Sequence, residues 1–164
     1  MRDGFIKIAA ATPDLHVADC EYNVSEIVKQ AKEAAAKGAK LITFPELCLT
    51  GYTCGDLFLQ ETLLEGAMQA LGTVCRETAE LQAVIVVGLP MRYNGKLYNV
   101  AAPIVHGRVL AFVPKIHIPN YSEFYEQRHF YSGKTLDDEG IEAKNIGVKT
   151  LNEEYNYIHI GNDF

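Results

Sequence analysis

Two charged residues at strand ends are the best candidates for chemistry in this chain. Glu46 follows the apolar, part β-branched run Leu41-Ile42-Thr43-Phe44 and Pro45. Lys115 follows Arg108 to Val113 and Pro114, so a strand, a proline and a charged side chain recur in the same order. The carboxyl end of a sheet is where open α/β folds bind ligands. A partly desolvated carboxylate there suits general-base work, and a lysine can donate to a developing oxyanion or hold a neighbouring carboxylate ionised. Each residue also has a plainer reading. Glu46 could be a surface glutamate paired with a lysine or arginine, and Lys115 a solvated lysine at a turn. Two opposite charges in equivalent positions favour the chemical reading. A third carboxylate, Glu126, lies in the loop that follows Lys115, with Glu123 as its nearest competitor.

The elements that must position these residues can be read from periodicity. Phe5 to Ala11 reads as a buried strand. Val24, Ile27, Val28, Ala31, Ala34 and Ala35 recur at helical spacing between Tyr22 and Lys37, and Gly38 stands where a C-cap glycine belongs. With Leu41 to Phe44 this makes a βαβ unit and a parallel strand pair. A second helix spans Leu59 to Glu80, on a stripe that includes Leu64, Ala67, Leu71 and Cys75. Ala83 to Gly88 is the next strand. Asn94-Gly95 and His106-Gly107 then mark turns of an antiparallel meander over Leu97 to Val105 and Arg108 to Val113. The segment after Lys115 carries too many aromatic residues for a solvated linker and should pack over something. Lys134 to Lys144 reads as a charged surface excursion, and Val148 to Leu151 and Tyr157 to Ile160 as two short strands.

Composition narrows the partners. The chain has 164 residues, 48% apolar and 22% charged, with a formal charge of -6. That suits one soluble domain and gives no reason to expect nucleic acid or an anionic membrane as partner. No apolar run reaches the ~20 residues needed to span a bilayer, and the first apolar stretch is too short for a secretory signal. A cytoplasmic protein is the default expectation. Cys20, Cys48, Cys54 and Cys75 form no CxxC pair, and the five histidines show no zinc-site spacing, so no metal is expected. Cys48 and Cys54 lie close to Glu46 but read as small buried side chains. Gly133-Lys134-Thr135 lacks the earlier glycine of a phosphate-binding loop, because Arg128 stands there.

FPELCLTGYTCGDLF, Phe44 to Phe58, resembles the glutamate motif of the carbon-nitrogen hydrolase (nitrilase) superfamily, in the branch fused to NAD synthetases. VPKIHIPNYSEFYEQRHF, Val113 to Phe130, is similar to that branch's lysine motif and following loop. The opening IKIAAATPDLHVADCEYNV and the stretch GLPMRYNGKLYNVA agree, so the resemblance runs from Phe5 to about Gly133. It implies a four-layer α-β-β-α sandwich, incomplete in this chain, with residues 1–164 forming a single truncated domain. It implies Glu46 as general base, Lys115 as oxyanion donor, Glu126 as the second glutamate, and Tyr121 as a lining residue of a glutamine pocket. The nucleophilic cysteine of the family follows the second glutamate, whereas all four cysteines here precede Glu126. The implied activity is hydrolysis of glutamine to supply ammonia. A synthetase part absent from this chain would use ATP and Mg to make NAD from nicotinic acid adenine dinucleotide. Glutamine, the missing carboxyl-terminal or synthetase part, and further copies of the chain in a homo-oligomer are the implied partners. A stand-alone amidase, or a non-catalytic remnant that binds a partner subunit, are the alternatives.

Overall fold

The computed structural model describes residues 4–136, 139–142 and 157–161. The expected βαβ start is present: strand β1 (Ile8–Ala10), helix α1 (Cys20–Ala36) and strand β2 (Leu41–Thr43), with β1 and β2 parallel in the register Ile8↔Leu41 to Ala10↔Thr43. Asp19 caps α1 by accepting a hydrogen bond from the Tyr22 amide (3.0 Å). At the other end Gly38 takes φ +88° and its amide bonds the Ala35 carbonyl, the left-handed geometry that ends many helices. Helix α2 (Glu61–Glu77) begins two residues later than the periodicity suggests. A separate 3₁₀ turn over Gly55–Leu59 precedes it.

Strand β3 (Val84–Tyr93) runs parallel to β2 and then five residues past Gly88, where it pairs only with β4 (Lys96–Val105). Asn94 and Gly95 both take positive φ (47° and 75°), as the two-residue turn of that hairpin requires. His106 and Gly107 repeat this geometry before β5 (Arg108–Val109). Strand β6 (Ala111–Pro114) pairs antiparallel with β4. Strands β7 (Glu139–Glu142) and β8 (Tyr157–Ile160) complete a mixed sheet of order β1-β2-β3-β4-β6-β8-β7.

The two faces of the sheet differ. Ile42, Ile85, Val87, Ala102, Ile104 and Phe112 are buried in one cluster with Ile27 and Ala31 of α1 and Leu71 and Val74 of α2. The alternate positions, Leu41, Thr43, Val84, Val86, Ala101, Pro103 and Val113, stay partly exposed on the other face. The described residues thus supply one sheet and one helical layer of the four expected. Two expectations need correction. Phe5 to Ala11 is not buried: β1 lies at the sheet edge, and Phe5, Ile6 and Ile8 are 82%, 53% and 64% exposed. Lys134 to Lys144 is not simply a surface excursion, since β7 lies within it and pairs antiparallel with β8. Val148 to Leu151 falls outside the described residues.

Candidate active site

Glu46 is placed by a tight turn laid over β3. The Phe44 amide bonds the Val86 carbonyl and the Leu49 amide bonds the Gly88 carbonyl, so the chain leaves β2 and crosses directly above Gly88. A Cβ on Gly88 would stand 2.4 Å from the Leu47 nitrogen, so only glycine lets the turn come this close. Leu47 itself takes φ +53°, a left-handed conformation that bulky side chains rarely adopt. Buried Asn23 of α1 ties down the far side of the turn. Its amide donates to the His16 and Leu49 carbonyls at 2.8 and 3.3 Å.

Lys115 follows β6, and its amide donates to the Asn99 carbonyl (2.8 Å). Its ammonium bridges the two expected carboxylates. Nζ lies 2.6 Å from Glu46 Oε1 and 3.1 and 3.0 Å from the two oxygens of Glu126. The structure therefore unites Glu46, Lys115 and Glu126 from three distant segments. Burial alone would lower the Lys115 ammonium. Hydrogen bonds and attraction from Glu46 and Glu126 outweigh it and hold the group above the usual lysine range. Glu126, not Glu123, is the third member. The partial desolvation expected of Glu46 is slight, because its side chain is 40% exposed, against 8% for Glu126.

Two further residues complete the network. Asn99, on β4 and 3% exposed, donates a short side-chain hydrogen bond to Glu46 Oε1. Tyr52 donates its hydroxyl proton to Glu126 Oε1 at 2.6 Å, and partial burial plus that neighbouring carboxylate push its titration upward. Neither stood out in the sequence. Tyr52 sits inside the glutamate motif without a distinctive spacing, and Asn99 is one polar position in an otherwise ordinary strand.

The aromatic loop does pack, as its composition suggests. Phe130 is buried with Leu47, Cys54, Phe58, Leu63, Leu64 and Leu97 in a second apolar cluster, edge-on to Phe58 at 5.0 Å between ring centres. Asp56 in the 3₁₀ turn holds Arg128 in a two-point ion pair (2.9 and 3.0 Å), and His129 Nε2 lies 3.2 Å away. Two cavities flank the network. One, about 340 Å³, lies on the face away from the helices and is lined by Glu46, Val86, Gly88, Asn99, Val113 and Lys115 among others. The second, about 270 Å³, is walled by Tyr52, Phe58, Phe124, Tyr125, Glu126 and His129 among others. Tyr121 lines neither. It is 69% exposed and rests edge-on against Phe124.

The cysteines stand apart from this chemistry. Cys48 is buried, its sulfur accepts from the Gly88 amide (3.3 Å), and burial pushes the thiol up to about 12. Burial raises Cys20 and Cys75 to about 11 and raises Cys54 as well. Among the described residues, no cluster of three or more histidine, cysteine or acidic side chains could hold a metal ion. No described helix is long and apolar enough to cross a membrane.

The sheet thus carries a lysine bridged to one carboxylate from the turn after β2 and to a second from the aromatic loop, and the chain belongs to the carbon-nitrogen hydrolase family, whose profile matches residues 7–155. It is similar to the glutamine-dependent NAD(+) synthetase of Mycobacterium tuberculosis (strain ATCC 25618 / H37Rv), with 40% identity over 130 residues, covering 79% of this chain and 19% of that protein. The Thermotoga maritima synthetase is 30% identical over 151 residues, covering 92% of this chain and 26% of that protein. In three dimensions the chain resembles the crystal structure of a glutamine-dependent NAD(+) synthetase from Cytophaga hutchinsonii, with a TM-score of 0.81 and 28% identity over 95% of this chain and 25% of that one. An amidase from Nesterenkonia sp., at TM-score 0.69 and 23% identity over 86% of this chain and 52% of that one, shows the shared fold alone. The chain spans about a fifth of the length of the curated synthetases it matches and corresponds to their amino-terminal part.

Proposed function

We propose that Glu46, Lys115 and Glu126 are the proton-handling and charge-stabilising part of a site that hydrolyses the side-chain amide of glutamine. The observation that carries this reading is the Lys115 ammonium held between two carboxylates beside an open groove. In the reaction a thiol gives its proton to Glu46, and the thiolate attacks the amide carbon. Lys115 donates to the oxyanion that forms. Glu46 returns the proton to the leaving nitrogen, ammonia departs, and a thioester remains. Glu46 then takes a proton from water, whose oxygen attacks the thioester, releasing glutamate and restoring the thiol. Glu126 and Tyr52 hold Lys115 in place; Tyr121, which lines neither cavity, is given no part in the site.

None of the four cysteines is bonded to Glu46 or Lys115: Cys48 and Cys54 are buried and bonded to the backbone of Gly88 and of Thr50 and Gly51, Cys75 is buried in α2, and Cys20 opens α1. The family resemblance puts that thiol after the second glutamate, and residues 127–164 hold no cysteine. In the complete protein the ammonia feeds ATP-dependent conversion of nicotinic acid adenine dinucleotide to NAD in the cytoplasm, with the domain assembled as a homo-oligomer. The similarity to glutamine-dependent NAD(+) synthetases supports the link from glutamine to NAD synthesis.

The test has two parts. Residues 1–164 incubated with glutamine should release no ammonia above the uncatalysed rate. A longer protein that carries the thiol should release it, and Glu46→Gln should slow that release by about 10²–10⁴-fold. Ammonia from the 164-residue chain would refute the assignment of the thiol. Full activity of Glu46→Gln in the longer protein would refute the site.

A further inference from the structure

We infer that Asn99 is a positioning residue of this site, setting Glu46 and Lys115 against each other from one strand position. The inference rests on the amide-hydrolase reading above and adds to it a residue outside the acid–lysine–acid set.

Asparagine is disfavoured in a strand interior, and a buried side-chain amide is costly unless it is hydrogen-bonded. Asn99 is nearly inaccessible (3% exposed) and sits in the middle of β4. Two of its hydrogen bonds reach the site. The side-chain Nδ2 donates to Glu46 Oε1, and the backbone carbonyl accepts the Lys115 amide at 2.8 Å. One residue therefore grips the glutamate by its carboxylate and the lysine by its backbone. The strand is arranged to permit this. Asn99 stands opposite Pro90 in the β3–β4 register, and Pro90 has no amide hydrogen to offer. In an antiparallel ladder a residue turns both backbone groups to the same neighbour, so Asn99 bonds towards Lys115 and nothing is lost at Pro90.

Among the described residues, the hydrogen bonds to Glu46 fall on Oε1, from Asn99 and Lys115. Oε2 is left to accept a proton from the reacting groups. Lys115 alone would be a poor clamp, because a flexible lysine head meeting a 40% exposed carboxylate can part from it into water. The Asn99 amide is fixed by its burial and supplies the second point. An aspartate here would repel Glu46, and an alanine would leave it on the lysine only.

The test uses the 164-residue chain with ¹³C-methylated lysines, following the titration of Lys115 by NMR. Lys115 faces Glu46, Glu126 and, through Glu126, Tyr52. Its midpoint should lie above that of an ordinary lysine and fall when Glu46 is changed to Gln. In Asn99→Ala it should fall by about half a pH unit or more, as Glu46 swings away and one opposite charge is lost. An unchanged or higher midpoint in a folded Asn99→Ala chain would overturn the inference. A wild-type midpoint at the ordinary lysine value, indifferent to Glu46→Gln, would overturn the three-residue bridge as well. Failure of a longer protein to hydrolyse glutamine, with the Lys115 titration as expected, would sink the glutaminase reading alone. Should Asn99→Ala not fold, the wild-type chain still decides. The Asn99 side-chain ¹⁵N and proton shifts should follow protonation of Glu46 and lose that response in Glu46→Gln, and a flat response overturns the inference.

Discussion

Glu46 and Glu126 share one lysine yet are held in opposite ways. Glu46 rides on a turn pressed against the backbone of β3, and its own side chain is 40% open to solvent. Glu126 is 8% exposed, bonded by Tyr52 and carried by a loop whose anchor is the apolar cluster around Phe130. Backbone contact fixes the first, and side-chain packing fixes the second. The difference matches their proposed roles. A base that must pass protons needs access and a firm backbone, whereas a carboxylate that only steadies a lysine can be sealed behind aromatic rings.

The loop side of this comparison should break most severely. Phe130→Ala removes a ring that is 4% exposed and touches Phe58. It should cost about 3 kcal/mol or more in urea denaturation and release Glu126 from Lys115. On the turn side, Gly88→Ala forces a Cβ against the Leu47 nitrogen. It should cost about 2–3 kcal/mol, and its damage should appear at Glu46 while Tyr52 and Glu126 stay bonded. If Gly88→Ala folded with native stability, the turn would be adaptable and the comparison would fail.

What could be read from the sequence follows the same division. Glu46, Lys115 and Glu126 were legible because each lies in a contiguous stretch that resembles a family motif, whereas strand-end position alone left the plainer readings of Glu46 and Lys115 open and did not separate Glu126 from Glu123. Asn99 and Tyr52 were not, because a hydrogen bond between distant segments leaves no local pattern. The two-residue turns at Asn94-Gly95 and His106-Gly107 were legible, since positive φ at both positions selects few residue types. The exposure of β1 was hidden. An apolar run looks alike in the centre of a sheet and at its edge, and the outcome depends on neighbours that a single strand does not encode. The extension of β3 past Gly88 was hidden too, as Pro90 argues against a strand unless one side of it is unpaired.

The third prediction separates the bridge from both anchors by pH. The folded Lys115 titrates above its ordinary value of 10.5, so its contribution is fully present below that value. It is lost as the pH rises through the folded midpoint. Tyr52, also raised, adds a loss in the same direction. Stability by urea denaturation should therefore decline above pH ~10, and Lys115→Met should make the decline shallower while lowering stability at neutral pH. A decline of the same steepness in the variant would show that Lys115 is not the group responsible.

The smallest effect belongs to Asp56. Its ion pairs with Arg128 and His129 pin the same loop that Phe130 anchors, but they do so at the surface, with Asp56 65% exposed. Hydrogen bonds from Arg128 and then His129 hold its carboxyl below the usual aspartate range. That contribution is present above the unfolded aspartate value and is lost as the pH falls through the folded one. Exposed pairs are weak and are screened by salt. Asp56→Asn should thus lower stability only slightly at neutral pH and low salt. The difference from wild type should vanish in 1 M salt and again in acid. Leaving Glu126 bonded to Lys115 is the decisive part of this prediction. If Asp56→Asn instead freed Glu126 as Phe130→Ala does, the loop would be held by charge rather than by packing, and the contrast between the two glutamates would need a different physical basis.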